Sequence, residues 1–342
     1  MTAASSTGPL VHLVIGPQQH GVVRFGVELH AAWSDGFAAL QRWTGPAAEL
    51  PGDAVPAGCG VHLQFTDRLF GADAVQAAAV VDRLAAGVHR GGGRVTVTLH
   101  DLPHLCDLTN YATRARGYVA LAAAVDGIVV SSEHERELLR DIGIGDATAV
   151  VPLPIAAPVI GQWEATADRS VAVFGFVYPG KGHDEVLHAM QGLPPDVRLL
   201  AVGEPSAGHD DLIVELEELA RAQGRPFVTT GYVTDDDLPA LLRSVTVPVV
   251  HHRHVSASGS LNSWLSAGRR PLAPATRYTR EIAQRNPKAL WLFDDRPGAL
   301  ADALRAALAD PTATWLPPGT VCTPSWEEAG AAYRRVLGAV HG

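Results

Sequence analysis

Short apolar runs rich in valine recur along the chain between longer stretches in which apolar residues return every three to four positions. A parallel sheet covered on both faces is written this way, because its strands are buried on both sides while each covering helix buries one stripe. In the first half, the runs LVHLVIG (10–16), GVHLQFT (60–66), RVTVTLHD (94–101), DGIVVSS (126–132) and TAVVPLPI (148–155) predict strands with helices between them. Residues 156–168, AAPVIGQWEATAD, contain proline and glycine and have no apolar period, which predicts a domain boundary there. Beyond it the alternation restarts, with strands at 170–177, 197–203, 226–231, 245–250, 270–275 and 289–295 and helices from about 183, 209, 235, 258 and 277. In the helix after His209, the residues Leu212, Leu216, Leu219 and Ala220 fall on one face, as expected of a helix lying on a sheet. The pattern predicts an α/β protein of two doubly wound domains in tandem. A single barrel of eight strand-helix units would need a smaller helical load and no linker near residue 160.

Composition narrows the functional classes. The 342 residues, 47% hydrophobic and 18% charged, supply apolar surface for two cores. A net charge of −9 argues against sequence-independent binding to nucleic acid, which needs a basic face, so any anion site must be local. Cys59, Cys106 and Cys322 are too few and too scattered for a disulfide framework or a zinc ligand set, and a reducing cytoplasm suits them. The start, MTAASSTGPL, lacks the basic residues and apolar run of a signal peptide, and no stretch of about 18 apolar residues spans a bilayer, so a soluble protein is expected.

Ligands of doubly wound sheets gather outside the carboxyl ends of the strands, which directs attention to four loops. In YPGKGHD, Gly180 and Gly182 let the backbone approach a ligand, the helix near His183 offers unpaired amides, and Lys181 adds a full charge. An ammonium about 4 Å from a phosphate contributes up to ~4 kcal/mol at an effective dielectric of about 20, against ~0.3–1 kcal/mol for an exposed helix terminus. Lys181 is thus the strongest single element there, with a solvated turn lysine as the alternative. In SASGSLNSW, Ser256 to Trp264, small hydroxyls and Gly259 at a helix start suit a diphosphate, although Ser256 or Ser258 would also serve as an ordinary N-cap. PQQHGVVRF places Gly21 at the turn into the first helix, and LHDLPH ends a strand with His100, which Asp101 is placed to orient.

Other clusters have plainer readings. Asp235, Asp236 and Asp237 precede an apolar helix whose dipole they complement, and Asp294 and Asp295 cap the helix after them. His251 to His254, HHRH, lacks the spacing and the carboxylate of a zinc site, and suits contact with a substrate or its phosphates. No metal site is expected. Arg114 and Arg116 read either as surface arginines or as a greeting for an anionic molecule.

Taken in order, these segments resemble retaining glycosyltransferases of the GT-B architecture, two Rossmann-like domains facing across a cleft, and specifically glycosyltransferase family 4. HGVVRFGVELHAAW resembles the family's glycine loop, TLHDLP its strand-end histidine, and DGIVVSSEHERELL the last strand and helix of its acceptor domain. VFGFVYPGKGHDEVL resembles the opening of its donor domain, GYVTDDDLPALLRSV its nucleotide-side loop, and SWEEAGAAYRRVLG its terminal crossing helix. The resemblance implies an acceptor domain over 1–157, a nucleotide-sugar donor domain over 158–320, and a helix at 321–342 crossing back to the first domain. It implies transfer of a sugar from a nucleoside diphosphate sugar, acting as co-substrate with no cofactor and no metal, to a hydroxyl acceptor on a glycan, a lipid-linked compound or a small molecule. Peripheral contact with a membrane surface would accompany a lipid-linked acceptor.

By the same resemblance, the Gly21 amide would meet the donor diphosphate, His100 would face the donor sugar, and Lys181 would hold the diphosphate. Gly231, Tyr232 and Val233 would border the nucleobase, while Ser258, Gly259 and Ser260 would line the diphosphate end. The chain departs from the family at three places: Phe176 stands where an arginine is usual, and Val255 and Ser263 stand where two glutamates are usual. Ser263 retains a hydroxyl for a ribose, and Arg253 or His254 stands near the sugar position. The loss of both acids keeps a non-catalytic nucleotide- or glycan-binding partner subunit in view; a sugar-nucleotide epimerase of the same architecture is the third class, disfavoured because its chemistry usually needs acidic groups that the matching loops lack.

Overall fold

The structure, a computed structural model, describes residues 9–33, 36–145, 148–159, 169–252 and 257–342. The chain divides into two compact units, Met1–Pro154 with Trp326–Gly342, and Ile155–Ser325. Among the described residues no helix is long and apolar enough to cross a membrane.

The first unit is built on six strands: Leu10–Ile15 (β1), Ala38–Trp43 (β2), Gly60–Phe65 (β3), Val95–Leu99 (β4), Gly127–Val130 (β5) and Thr148–Val150 (β6). They form one parallel sheet in the order β2-β1-β3-β4-β5-β6. Helices Gly21–Ala31 (α1), Asp67–Phe70 (α2), Ala74–Arg90 (α3), Tyr111–Ala124 (α4) and Glu133–Asp141 (α5) connect them. β2 is the one strand that the hydrophobic pattern does not predict. It lies at the sheet edge, mostly half-buried or exposed, so AALQRW carries no continuous apolar run.

Every residue of β1, β3 and β4 is buried, yet β3 and β4 alternate apolar and polar side chains and β1 carries His12 among apolar ones. Successive side chains point to opposite faces. Val61, Leu63 and Phe65 with Val95, Val97 and Leu99 join one apolar core with residues of α3 and α4. The other face carries His12, His62, Gln64, Thr96 and Thr98, all buried. Buried polar atoms require partners, and here they find one another. His62 Nδ1 pairs with Thr96 Oγ1 at 2.9 Å and its Nε2 with Thr98 Oγ1 at 3.0 Å. The C-terminal helix, Trp326–His341, packs Ala329 and Leu337 with Leu10, Leu29 and Val129, and brings Tyr333 OH within 3.1 Å of Thr98 Oγ1 and His341 Nε2 within 2.9 Å of Thr96 Oγ1.

The second unit repeats the design with Ser170–Phe174 (β7), Arg198–Val202 (β8), Phe227–Thr229 (β9), Val247–Val249 (β10), Leu272–Pro274 (β11) and Trp291–Phe293 (β12). All are parallel, in the order β12-β11-β10-β7-β8-β9. Its helices are His183–Ala189 (α6), Asp210–Ala222 (α7), Leu238–Ser244 (α8), Gly259–Ser266 (α9), Arg277–Arg285 (α10) and Ala299–Ala309 (α11). In α7 the expected stripe is present, with Leu216 and Ala220 buried and Leu212 and Leu219 packed beside them. The N-cap of α11 is Gly298, in the left-handed region at φ +82°, rather than Asp294 or Asp295. Two arginines serve the backbone rather than the surface. Arg269, fully buried, donates to the carbonyls of Leu242, Val245 and Thr246 at 2.9, 2.5 and 3.1 Å, and its guanidinium lies 4.5 Å from the Trp315 ring. Arg225 likewise donates to the carbonyls of Val197 and Met190, both at 2.6 Å.

Arg269→Met should lower unfolding stability by about 3 kcal/mol or more, since several buried carbonyls lose their donor together; urea unfolding measures it. Acid should also unfold the protein readily. Burial pushes the His12 and His100 imidazoles down to about 3, so they stay neutral in the fold while the unfolded chain charges them below about 6.5. Stability should therefore fall by about 1.4 kcal/mol per pH unit for each such histidine as pH drops from about 6.5 towards 3. Urea titrations across that window check the slope, and a flat profile would contradict it.

Candidate functional site

The second sheet reverses direction between β7 and β10: β8 and β9 follow on one side, β10, β11 and β12 on the other. The crevice outside the carboxyl ends at such a reversal is where doubly wound sheets bind ligands. The loops after these two strands carry YPGKGHD and SASGSLNSW.

Two glycines shape this crevice. A Cβ on Gly182, at φ +100°, would lie 2.0 Å from the His251 carbonyl oxygen, so the Lys181 turn rests directly on the backbone that follows β10. A Cβ on Gly175, at φ +113°, would lie 2.7 Å from Lys181 Nζ, so the ammonium occupies the space a side chain would take. Nζ donates to Ser260 Oγ at 3.1 Å, and that hydroxyl pairs with Ser258 Oγ at 3.1 Å. Ser258 also caps α9, accepting from Leu261 N at 3.1 Å. Lys181 is only 6% exposed, which overturns the reading of it as a solvated turn lysine. Among the described residues no carboxylate pairs with it, and burial pushes its ammonium down to about 7.

Gly259 opens α9 with free space where a Cβ would stand. Ser263, one turn on, donates to the Gly259 carbonyl at 3.1 Å. Gly231, at φ +66°, follows β9; Thr230 Oγ1 donates to its carbonyl at 2.9 Å and accepts from Gly203 N at 3.0 Å. Beyond it Tyr232 is 59% exposed and Val233 packs on the core. Phe176, at the expected arginine position, is exposed. Arg253, His254, Val255 and Ser256 lie outside the described residues.

The first unit holds the remaining candidates. Gly21 is the first residue of α1, whose N-cap His20 accepts from Val22 N through Nδ1 at 3.2 Å. His100 follows β4, buried, with Phe25 edge-on at 5.3 Å and His20 near enough that a charge on one opposes a charge on the other. Its orienting partner is Gln64, not Asp101. His100 Nε2 lies 2.9 Å from Gln64 Oε1, while Gln64 Nε2 lies 3.0 Å from His12 Nε2. Asp101, in the left-handed region at φ +57°, turns instead to Arg114, which also holds Asp67 at 3.0 Å and Asp107 at 2.7 Å. Three carboxylates occupy Arg114, so it is no free receptor for an anion. Arg116 reaches Thr113 Oγ1 at 3.3 Å.

Sequence reasoning missed Gln64 and the ring of His183. Gln64 was signalled by the alternation of GVHLQF, which sets it on the face of His62, and by the parallel register that pairs it with Thr98. His183 sits at a helix start, where burial is not written in the local sequence.

Known proteins share this architecture. Residues 168–310, within the second unit, match the family model described as Glycosyl transferases group 1. Among solved structures, Anabaena Alr3699/HepE in complex with UDP-glucose shares 14% identity over 97% of each chain, with a TM-score of 0.67. Sucrose-phosphate synthase from Thermosynechococcus elongatus shares 14% identity over 98% of this chain and 95% of its own, also at 0.67. WaaG, a glycosyltransferase involved in lipopolysaccharide biosynthesis, shares 13% over 96% and 95%, at 0.60. No curated protein matches the chain in sequence. The fold is α/β and of the GT-B kind, with two six-stranded parallel sheets.

Gln64→Glu should raise the His100 titration well above its present value of about 3, because a carboxylate beside Nε2 favours the imidazolium. Nitrogen chemical shifts of the histidine rings, followed against pH, report it; an unmoved His100 would remove Gln64 as its partner.

Proposed function

We propose that the protein is a retaining glycosyltransferase that moves a sugar from a nucleoside diphosphate sugar to a hydroxyl acceptor. The observation that carries this reading is Lys181: a buried ammonium at the reversal of a parallel sheet, hydrogen-bonded to Ser260 and left without a carboxylate partner among the described residues. A buried cation without a counter-charge is costly, and a diphosphate supplies that charge. The group 1 match over the second unit and the UDP-glucose complex of the HepE structure support the same choice of ligand.

In this reading Lys181, Ser258, Ser260 and the amides opening α9 take the diphosphate, and Gly231, Tyr232 and Val233 border the base. The bond from the anomeric carbon to the phosphate oxygen breaks as negative charge gathers on the diphosphate, which the ammonium and hydroxyls stabilise. The acceptor oxygen bonds to the same face of that carbon, and its proton passes to the departing phosphate. No side-chain base or metal is then obligatory. A cytoplasmic location suits the three free cysteines. A second reading, a nucleotide-binding subunit without transfer, draws on Ser263, whose hydroxyl turns to the Gly259 carbonyl where the family has a glutamate.

A thermal-shift screen with the diphosphates of uridine, guanosine, adenosine, cytidine and thymidine tests the reading. The preferred one, at about 100 times its dissociation constant, should add ~2.7 kcal/mol of stability. Lys181→Met should abolish most of that gain and lower turnover at least tenfold. No shift with any of them would overturn the assignment, and a shift without sugar transfer to any hydroxyl acceptor would favour the binding subunit.

A further inference from the structure

The crevice that holds Lys181 contains a second group of basic atoms without hydrogen-bond partners among the described residues. His183 is 2% exposed, and neither of its ring nitrogens has a hydrogen-bond partner among the described residues. His252 is 7% exposed with Nδ1 equally unpartnered, and so is the Nδ1 of half-buried His251, whose ring stacks on Phe293 at 5.9 Å. These rings belong to one site. Gly182, between Lys181 and His183, lies against the carbonyl and Cβ of His251, and Lys181, His183 and His252 oppose one another's charge. Buried polar atoms are rarely left unsatisfied, and these four ring nitrogens beside one lysine, without partners among the described residues, would all donate only if the three imidazoles were charged, as an anion favours.

The groups facing this site can be named element by element. The turn before α6 contributes Lys181 and the Tyr178 ring, 6.0 Å from Nζ. α6 contributes His183 and Asp184, the latter favouring charge on His183 and His251. The segment after β10 contributes His251 and His252, and the loop after β12 contributes Asp295, which acts on His251 alone. Among the described residues Asp184 and Asp295 are thus the acidic groups felt at the site, and neither is felt at Lys181 or His252.

We propose that His183 and His252 complete the diphosphate subsite beside Lys181 and that the subsite takes up protons as it fills, its basic groups becoming cationic donors to the phosphate oxygens when the nucleotide sugar binds. This deepens the reading of the second unit as a donor site and rests on it. Burial alone holds Lys181 at about 7 and is the main cause holding His183 at about 3, so an arriving anion raises both and draws protons from solvent. The lysine takes its proton above neutrality, whereas the histidines take theirs below it. The same stored charge then favours departure of the nucleoside diphosphate.

Calorimetric titration of UDP-glucose into the full-length protein, in pairs of buffers with different ionisation heats, counts the protons. Both phosphates of this probe are esterified, so it has no proton of its own to release near neutrality. At about pH 8 we expect uptake of about one proton and an affinity that falls about tenfold for each further pH unit. At about pH 5.5, where Lys181 is already charged, uptake should continue, and His183→Asn and His252→Asn should each reduce it while leaving the pH 8 uptake in place. Binding without proton uptake at either pH overturns the proposal and leaves the donor-site reading intact. Uptake at pH 8 alone removes the histidines from the subsite. Absence of heat with UDP-glucose and with the glucose diphosphate esters of the other four nucleosides overturns the donor-site reading itself, and this proposal with it.

Discussion

Strands buried on both faces impose the constraint from which this protein follows. In the middle of a parallel sheet flanked by helices, strand side chains do not reach water, so each polar group placed there must find a protein partner and each ligand must be met at the strand ends. The two units answer the first demand differently. The first places five polar side chains on one face of β1, β3 and β4 and satisfies most of their hydrogen-bonding atoms through His62, Gln64 and the C-terminal helix. The second keeps both faces of its sheet largely apolar and places Arg225 and Arg269 where they collect carbonyls at the ends of helices and strands, with Lys181, His183 and His252 buried at the strand ends.

The polar face of the first unit has a chemical consequence. Gln64 joins His12 to His100, so its amide presents an oxygen to one ring nitrogen and an N–H to the other. The two histidines are thereby tied to opposite protonation at Nε2, and burial keeps both neutral. His100 is held as a neutral, oriented hydrogen-bonding group.

The second unit stores electrostatic energy instead. Lys181 is pressed into the space over Gly175 by a turn in which Gly182 meets the His251 backbone more closely than any side chain would allow, and water is largely excluded from it. Sheet pairing creates this arrangement. Val171 lies beside Val247, Ala172 beside Pro248 and Val173 beside Val249, so β7 and β10 run together and deliver to one crevice two loops that are remote in the chain. Strand order thus sets the position of the charge, and the glycines set its depth.

By itself the sequence determined the elements and their class. Periodicity alone identifies eleven of the twelve strands among the described residues, because burial on two faces is a local property of the chain. β2 escaped because an edge strand needs no such run. The turn of YPGKGHD into a helix was also legible, since its glycines are neighbours in sequence and both adopt positive φ. Only the tertiary structure decided that Lys181 is buried and paired with Ser260, 79 residues away, that Gln64 rather than Asp101 holds His100, and that Arg114 is taken up by three carboxylates. Solvation and partnership are set by segments distant in the chain, so a residue's type announces what it is able to do, while the fold settles which charge stays exposed and which is buried.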